Sequence, residues 1–276
     1  MFDPLNVEQL RRTNRGLAAL HGVLALASLF PSGLTSRLAT PRPVWCEEGS
    51  ELHACTSCAA GRTGATRDGA TGLCTELDYV SPVFIESVNI PQLCLAFFAI
   101  TATAHYVYAQ QAERYHELVQ QRRMWWRWVE YGLSVPPMTV ILCVLNGVTV
   151  DMILMQVAIL GGITQAFGAA AEALAADDCL RQAQRVHCLG YAPIVGALLP
   201  VFVSLGNMGT APSFVPFLVL SQLLFFSSFG FIQLALLTCY GNEARVYARC
   251  DTAYLILSLA CKTSLAGSVL AASFVL

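Results

Sequence analysis

Apolar stretches long enough to cross a bilayer core recur along the chain, separated by short polar connections and one long one. A core of about 30 Å needs roughly 20 helical residues. Seven segments meet or approach that length, at 16–34, 89–110, 124–146, 152–175, 188–206, 213–240 and 250–276. The pattern predicts an all-α membrane protein: a single transmembrane domain over residues 1–276, with an inserted loop at 35–88. The fifth segment is broken by Pro193 and Pro200, which membrane helices tolerate when neighbours satisfy the freed carbonyls. No internal repeat is apparent, and seven spans do not divide into the equal halves of many transporters.

Arginine placement orients the bundle. Arg11, Arg12 and Arg15 precede the first span, and Arg114, Arg122, Arg123 and Arg127 lie between or at the edges of the second and third. Arg181 and Arg185 join the fourth to the fifth, and Arg245 and Arg249 join the sixth to the seventh. The opposite side has Arg37, Arg42, Arg62 and Arg67, all in the long first loop. The expectation is a cytoplasmic N-terminus, an extracellular C-terminus and a multi-pass protein of the cell membrane. The loop then faces the oxidising side, and its Cys46, Cys55, Cys58 and Cys74 read as two disulfides with three possible pairings. Zinc is the lesser reading, because Cys55-x2-Cys58 is only one half of such a site.

Composition sharpens the class. The chain is 55% hydrophobic and 12% charged, with a net charge of −2. The charged share is about half that of a soluble domain. The lipid bilayer is therefore the expected surrounding, and nucleic acid is not an expected partner. No removable signal peptide is evident, since the first apolar run has no small-residue cleavage site.

The seventh segment contains Lys262, the only lysine in 276 residues. Counted from Asp251, its Cα lies about 16 Å along the axis, beyond comfortable snorkelling for a stem of about 6 Å. A bare ammonium there costs at least ~2.5–3.5 kcal/mol. A buried counterion, a neutral amine or a Schiff base with a carbonyl would relieve that cost.

Glu130, early in the third segment, is the candidate counterion. Helix counting leaves the two residues about 9 Å apart in depth, a gap that the lean of a lysine side chain toward the helix N-terminus largely closes. The competing reading pairs Glu130 with Arg127 at i, i+3. Ser258 stands one turn before Lys262 on the same face. His21 and His105 lie inside apolar helices, where such residues are packing groups or line a proton-accepting cavity. Glu172 falls near the cytoplasmic end of its segment, where a solvated or helix-capping carboxylate is the default. Phe225, Phe226 and Phe229 belong to an aromatic stripe in the sixth segment that lines either lipid, core or a pocket.

These strings resemble a known family. Arg127-Trp-Val-Glu-Tyr131 looks like the heliorhodopsin counterion motif, and Tyr254-Leu-Ile-Leu-Ser-Leu-Ala-Cys-Lys262 like that family's retinal-lysine motif. Pro212-Ser-Phe-Val with Phe225-Phe226 is similar to its sixth helix. Type-1 microbial rhodopsins usually have aspartate four residues before the lysine, where this chain has Ser258, and they have the opposite orientation. The cysteine density of the first loop departs from the family.

The resemblance implies a seven-helix rhodopsin-like bundle that is a photoreceptor and not an enzyme. Its cofactor would be all-trans retinal, bound to Lys262 as a protonated Schiff base with Glu130 as counterion. Ser258, Tyr131, Ser134, Phe225, Phe226 and Phe229 would surround it. His21, His105 and Glu172 would form the proton network, and no metal is implied. The long loop would support a homodimer, and signalling would run through an unidentified cytoplasmic partner. Span three has no second carboxylate after Glu130, so internal proton transfer without net pumping is expected. Some viral and algal relatives conduct protons passively, which makes a light-gated proton channel the alternative. A seven-helix receptor or transporter without retinal is a further one.

Overall fold

The computed structural model describes residues 6–29, 35–37, 87–148, 150–207, 214–238 and 244–275. The four loop cysteines, Cys46, Cys55, Cys58 and Cys74, lie outside the described residues. Within these limits the chain is helical apart from two short strands, β1 (Thr35–Arg37) and β2 (Ser87–Asn89). They pair antiparallel, with Ser36 opposite Val88.

Helix α1 (Val7–Ala27) begins earlier than apolarity alone suggests. The Asn6 side chain accepts from the Gln9 amide at 3.0 Å, and Glu8 pairs with Arg11 and Arg12 one turn on. Capping and these i, i+3 and i, i+4 pairs stabilise a polar first half. The Arg12 hydrogen bond to Glu8 holds that carboxyl below its ordinary pKa. Helix α2 (Ile90–Gln110) follows, then α3 (Ala112–Gln120), a short amphipathic helix that buries Ala112, Tyr115, Leu118 and Val119.

Next come α4 (Trp125–Leu145), α5 (Asp151–Ala176), α6 (Leu180–Leu189), α7 (Tyr191–Asn207), α8 (Phe214–Thr238) and α9 (Ala244–Val275). Helix α4 ends with Gly147 at φ 78°. The Gly147 and Val148 amides return to the Val144 and Cys143 carbonyls, a left-handed terminus for which glycine has no steric penalty.

Among the described residues six segments are long and apolar enough to cross a membrane: Ile90–Gln110, Trp125–Leu145, Asp151–Ala176, Leu180–Leu205, Val215–Thr238 and Arg245–Leu270. The fourth of these, Leu180–Leu205, combines α6 and α7. Its start at Leu180 precedes the apolar run because α6 is amphipathic, turning Ala183 and His187 inward and its arginines outward. Helix α1 packs along α2, α4 along α5 and α8 along α9, while α2 also meets α4. The outer faces present large apolar side chains such as Val23, Leu133, Ile159, Leu199, Phe217, Phe231 and Ile256, as a surface solvated by lipid requires.

Two apolar cores stack along the bundle. One gathers Phe97, Phe98, Ile141, Leu142, Leu154 and Leu265. The other gathers Leu10, Tyr115, Met124, Ala171, Leu237 and Tyr247. Along their helices, the buried polar residues His21, Thr101, His105, Glu130, Ser134 and Ser258 fall between the two, with Lys262 at the edge of the first core beside Cys261.

Close approach of α5 to α4 depends on Gly168. A Cβ there would overlap the Trp128 ring. Gly168→Ala is expected to destabilise the protein by about 1–3 kcal/mol through overpacking. Chemical unfolding in detergent reads this as a lower midpoint, and an unchanged midpoint would contradict the packing described.

Candidate functional site

Lys262 on α9 and Glu130 on α4 meet between the two cores. Lys262 Nζ donates to Glu130 Oε1 at 2.8 Å and to Ser258 Oγ at 2.8 Å. Both charged side chains are 3% exposed, so the pair is taken out of solvent almost entirely. Thr101 on α2 donates to the same Glu130 oxygen at 2.9 Å. The ammonium also lies 5.4 Å from the centre of the Tyr131 ring. A buried ion pair survives when further hydrogen bonds satisfy its members, and here Ser258 and Thr101 supply them.

The histidines form a second group beside the first. His21 on α1 and His105 on α2 stack with ring centres 5.3 Å apart. His21 Nδ1 is 2.8 Å from the Leu17 carbonyl and His105 Nδ1 is 2.8 Å from Asn14 Oδ1. The Asn14 amide is itself committed to the Leu10 carbonyl at 3.0 Å, so its oxygen faces His105. Both contacts require the proton on Nδ1, which leaves each Nε2 as a lone-pair acceptor. His21 Nε2 is buried with no hydrogen-bond partner among the described residues.

Glu172 is separate from the histidine pair in its bonding and belongs to a third, ionic group. Arg127 does not pair with Glu130, the closer carboxylate in sequence. It donates to Glu172 Oε2 at 2.5 Å and to Asp251 Oδ1 at 2.6 Å. Glu172 also accepts from Trp128 Nε1 at 3.1 Å, Tyr247 OH at 2.6 Å and the Met124 amide at 2.6 Å. Tyr115 on α3 donates to Asp251 Oδ2. Burial and the adjacent Asp251 charge push the Tyr115 phenol well above its ordinary pKa, so it remains a donor. The Arg127 guanidinium lies 4.1 Å from the centre of the Tyr254 ring, a cation–π contact. Sequence reading missed Asp251, Asn14, Thr101 and Tyr247. Asp251 offered one signal, a carboxylate set eleven residues before Lys262 in the same apolar helix.

A cavity opens from Lys262 between α4 and α8 and continues to α5, α6 and α7. Tyr131, Ser134 and Met138 of α4 and Phe226 and Phe229 of α8 line it, with Ser258 beside the amine. Phe225 instead packs against the apolar core. Gly168 and Gly230 both lie on the wall, and a Cβ at Gly230 would strike the Tyr191 hydroxyl. Ser134 Oγ and Gln233 Nε2 are buried without hydrogen-bond partners among the described residues. No cluster of metal-binding side chains occurs among the described residues. An apolar, aromatic-walled cavity with a primary amine in its wall fits a hydrophobic aldehyde held as a Schiff base.

The fold and this site define a helical, multi-pass membrane protein built around a buried lysine. The heliorhodopsin family model matches residues 70–274, well over half the chain, and the chain belongs to the heliorhodopsin family. Membership makes it a light-sensitive, retinal-binding protein of a generally non-enzymatic photoreceptor family, with that family's seven-helix fold. No curated protein matches the chain. Helix α1, with Asn14 and His21, lies before the matched residues.

Removing Arg127 tests the ionic group. Arg127→Gln leaves Glu172 and Asp251 buried without a cation, which is expected to cost roughly 3–5 kcal/mol. The expected readout is a clear drop in thermal stability in detergent. A variant as stable as the wild type would show that the guanidinium is not needed to hold the two acids.

Proposed function

We propose that the protein is a light receptor carrying all-trans retinal on Lys262 as a protonated Schiff base, with Glu130 as its counterion. The 2.8 Å contact between Glu130 Oε1 and the Nζ of Lys262, a residue that lines an aromatic cavity, is the observation that carries this reading. Bound retinal supplies absorption of visible light and a double bond that isomerises. Every other part of the proposal concerns the chain's own side chains.

Glu130 holds negative charge against Nζ, and Thr101 fixes which oxygen does so. Ser258 gives the nitrogen's proton a second partner. Tyr131, Ser134, Phe226 and Phe229 confine the cofactor, with Phe225 supporting them from the core. When the proton leaves Nζ, Glu130 Oε1 is its adjacent acceptor. The Nε2 atoms of His21 and His105 come next, and Glu172 belongs to the charged group that bounds the network at the arginine-rich end.

That end is cytoplasmic by the arginine distribution. The opposite direction is closed by Phe97, Ile141, Leu142, Leu154 and Leu265. Asp151 is buried at the far end of the bundle and accepts from the Met152 amide at 2.7 Å. Among the described residues the acceptors near Nζ therefore lie on one side, with Asp151 set apart from it by the apolar core, which supports reversible internal transfer over net pumping. Light would act through conformational change on a cytoplasmic partner, in a homodimer assembled through the first loop.

Three measurements check this. Supplied with all-trans retinal, the wild type is expected to become coloured and Lys262→Ala to stay colourless. Glu130→Gln is expected to absorb further to the red and to release its Schiff-base proton at lower pH, because the compensating charge is gone. An unchanged Glu130→Gln spectrum would show that another group is the counterion. Under whole-cell recording, illumination is expected to give no sustained current at fixed voltage. A sustained current would replace the sensory reading with a light-gated proton conductance.

A further inference from the structure

The ionic group around Arg127 is not explained by the counterion chemistry. One guanidinium is shared by two carboxylates, Glu172 and Asp251, all three buried. The groups facing them are Tyr115 from α3, Arg127 and Trp128 from α4, and Tyr247 and Tyr254 from α9. All of these apart from Arg127 are neutral, so with both acids ionised the cluster carries one uncompensated negative charge. One added proton would cancel it.

The two acids are not equivalent. Glu172 accepts four hydrogen bonds, from Arg127, Trp128, Tyr247 and the Met124 amide. Asp251 accepts two, from Arg127 and Tyr115. Hydrogen bonds to a carboxylate favour its charged form, so Asp251 loses less on taking a proton.

A line of side chains connects the histidine pair to Asp251. His105 meets Tyr108 edge-on with ring centres 5.6 Å apart, and Tyr108 meets Tyr115 at 5.2 Å. The Tyr115 hydroxyl already donates to Asp251. Midway along it, the Tyr108 hydroxyl is buried and has no hydrogen-bond partner among the described residues. An unsatisfied buried hydroxyl is costly, and one standing between a proton acceptor and a carboxylate is suited to pass a proton on. Because the Tyr108 hydroxyl bonds to neither neighbour directly, the relay runs through a bridging water on each side of it.

We propose that Asp251 stores the proton released at the Lys262–Glu130 pair, receiving it through His105, Tyr108 and Tyr115. In this sequence Tyr115 gives its proton to Asp251 Oδ2 and takes one from Tyr108. Tyr108 is refilled from His105, which passes on from Nε2 the proton that it has taken there from the Lys262–Glu130 pair. Each relay group ends as it began, and the only net change is one proton lost at the Lys262–Glu130 pair and one gained by Asp251. The return path is the same, which keeps the transfer reversible. The proposal rests on the retinal reading above.

Light-minus-dark infrared spectroscopy of the full-length pigment tests it. The wild type is expected to show a protonated-carboxyl carbonyl band that rises after Nζ loses its proton. Asp251→Asn is expected to remove that band, and Asp251→Glu to restore it at a shifted frequency. Tyr108→Phe and Tyr115→Phe are expected to keep the colour and the first proton loss but to slow the band's rise by about a hundredfold. Should Asp251→Asn not fold, Asp251→Glu and the two tyrosine variants decide the question. A band unmoved in Asp251→Glu, or one rising at the wild-type rate in both tyrosine variants, would overturn the proposal by leaving the proton on Glu130 or the histidines. Wild-type protein that never becomes coloured would instead sink the retinal reading.

Discussion

A single buried charge sets the terms for this bundle. Lys262 Nζ lies among apolar helices with Glu130 Oε1 at 2.8 Å, and each partner would be prohibitively costly to bury without the other. Satisfying the pair constrains several elements at once. Helix α4 must bring Glu130 to the level of Lys262, α2 must present Thr101, and α9 must place Ser258 one turn before the lysine. The two apolar cores seal this layer on either side. The local dielectric stays low, and the pair remains strong.

The same constraint explains why polar residues deeper in the bundle occur in bonded groups. His105 leans on Asn14, whose other end is fixed to its own helix. Arg127, close in sequence to Glu130, is drawn away by Glu172 and Asp251. Had Arg127 turned to Glu130, it would have competed with the lysine for the same carboxylate. Its diversion leaves Glu130 to Lys262 and ties α4 to α5 and α9. Helix α3 joins through Tyr115, and its Glu113 pairs with Arg11 of α1. The arginine-rich end is thus held by charge, while the opposite end is held mainly by apolar packing.

Much of this was legible from residue order. A lone lysine in a long apolar run singles itself out, and Ser258 follows from helical spacing. Glu130 was within reach by counting depth along two helices that run in the same direction. Six of the seven expected segments correspond to helices long and apolar enough to span, whereas α1 is displaced toward its polar, capped start. What could not be read is rotation about each helix axis. Thr101, Asn14 and Tyr247 look like ordinary polar residues until neighbouring helices fix which face is inward. The contact of Trp128 with Gly168 likewise needs two helices side by side. Amphipathic α3 and α6 were read as connections because their charged faces mask short apolar ones.

The central claim is that this one amine carries the chromophore, and the chain has a single lysine with which to test it. Pigment formed with all-trans retinal, reduced with borohydride in the light and digested, should yield one retinyl-bearing peptide with the added mass on Lys262. Finding that peptide unmodified while the protein is coloured would contradict the account.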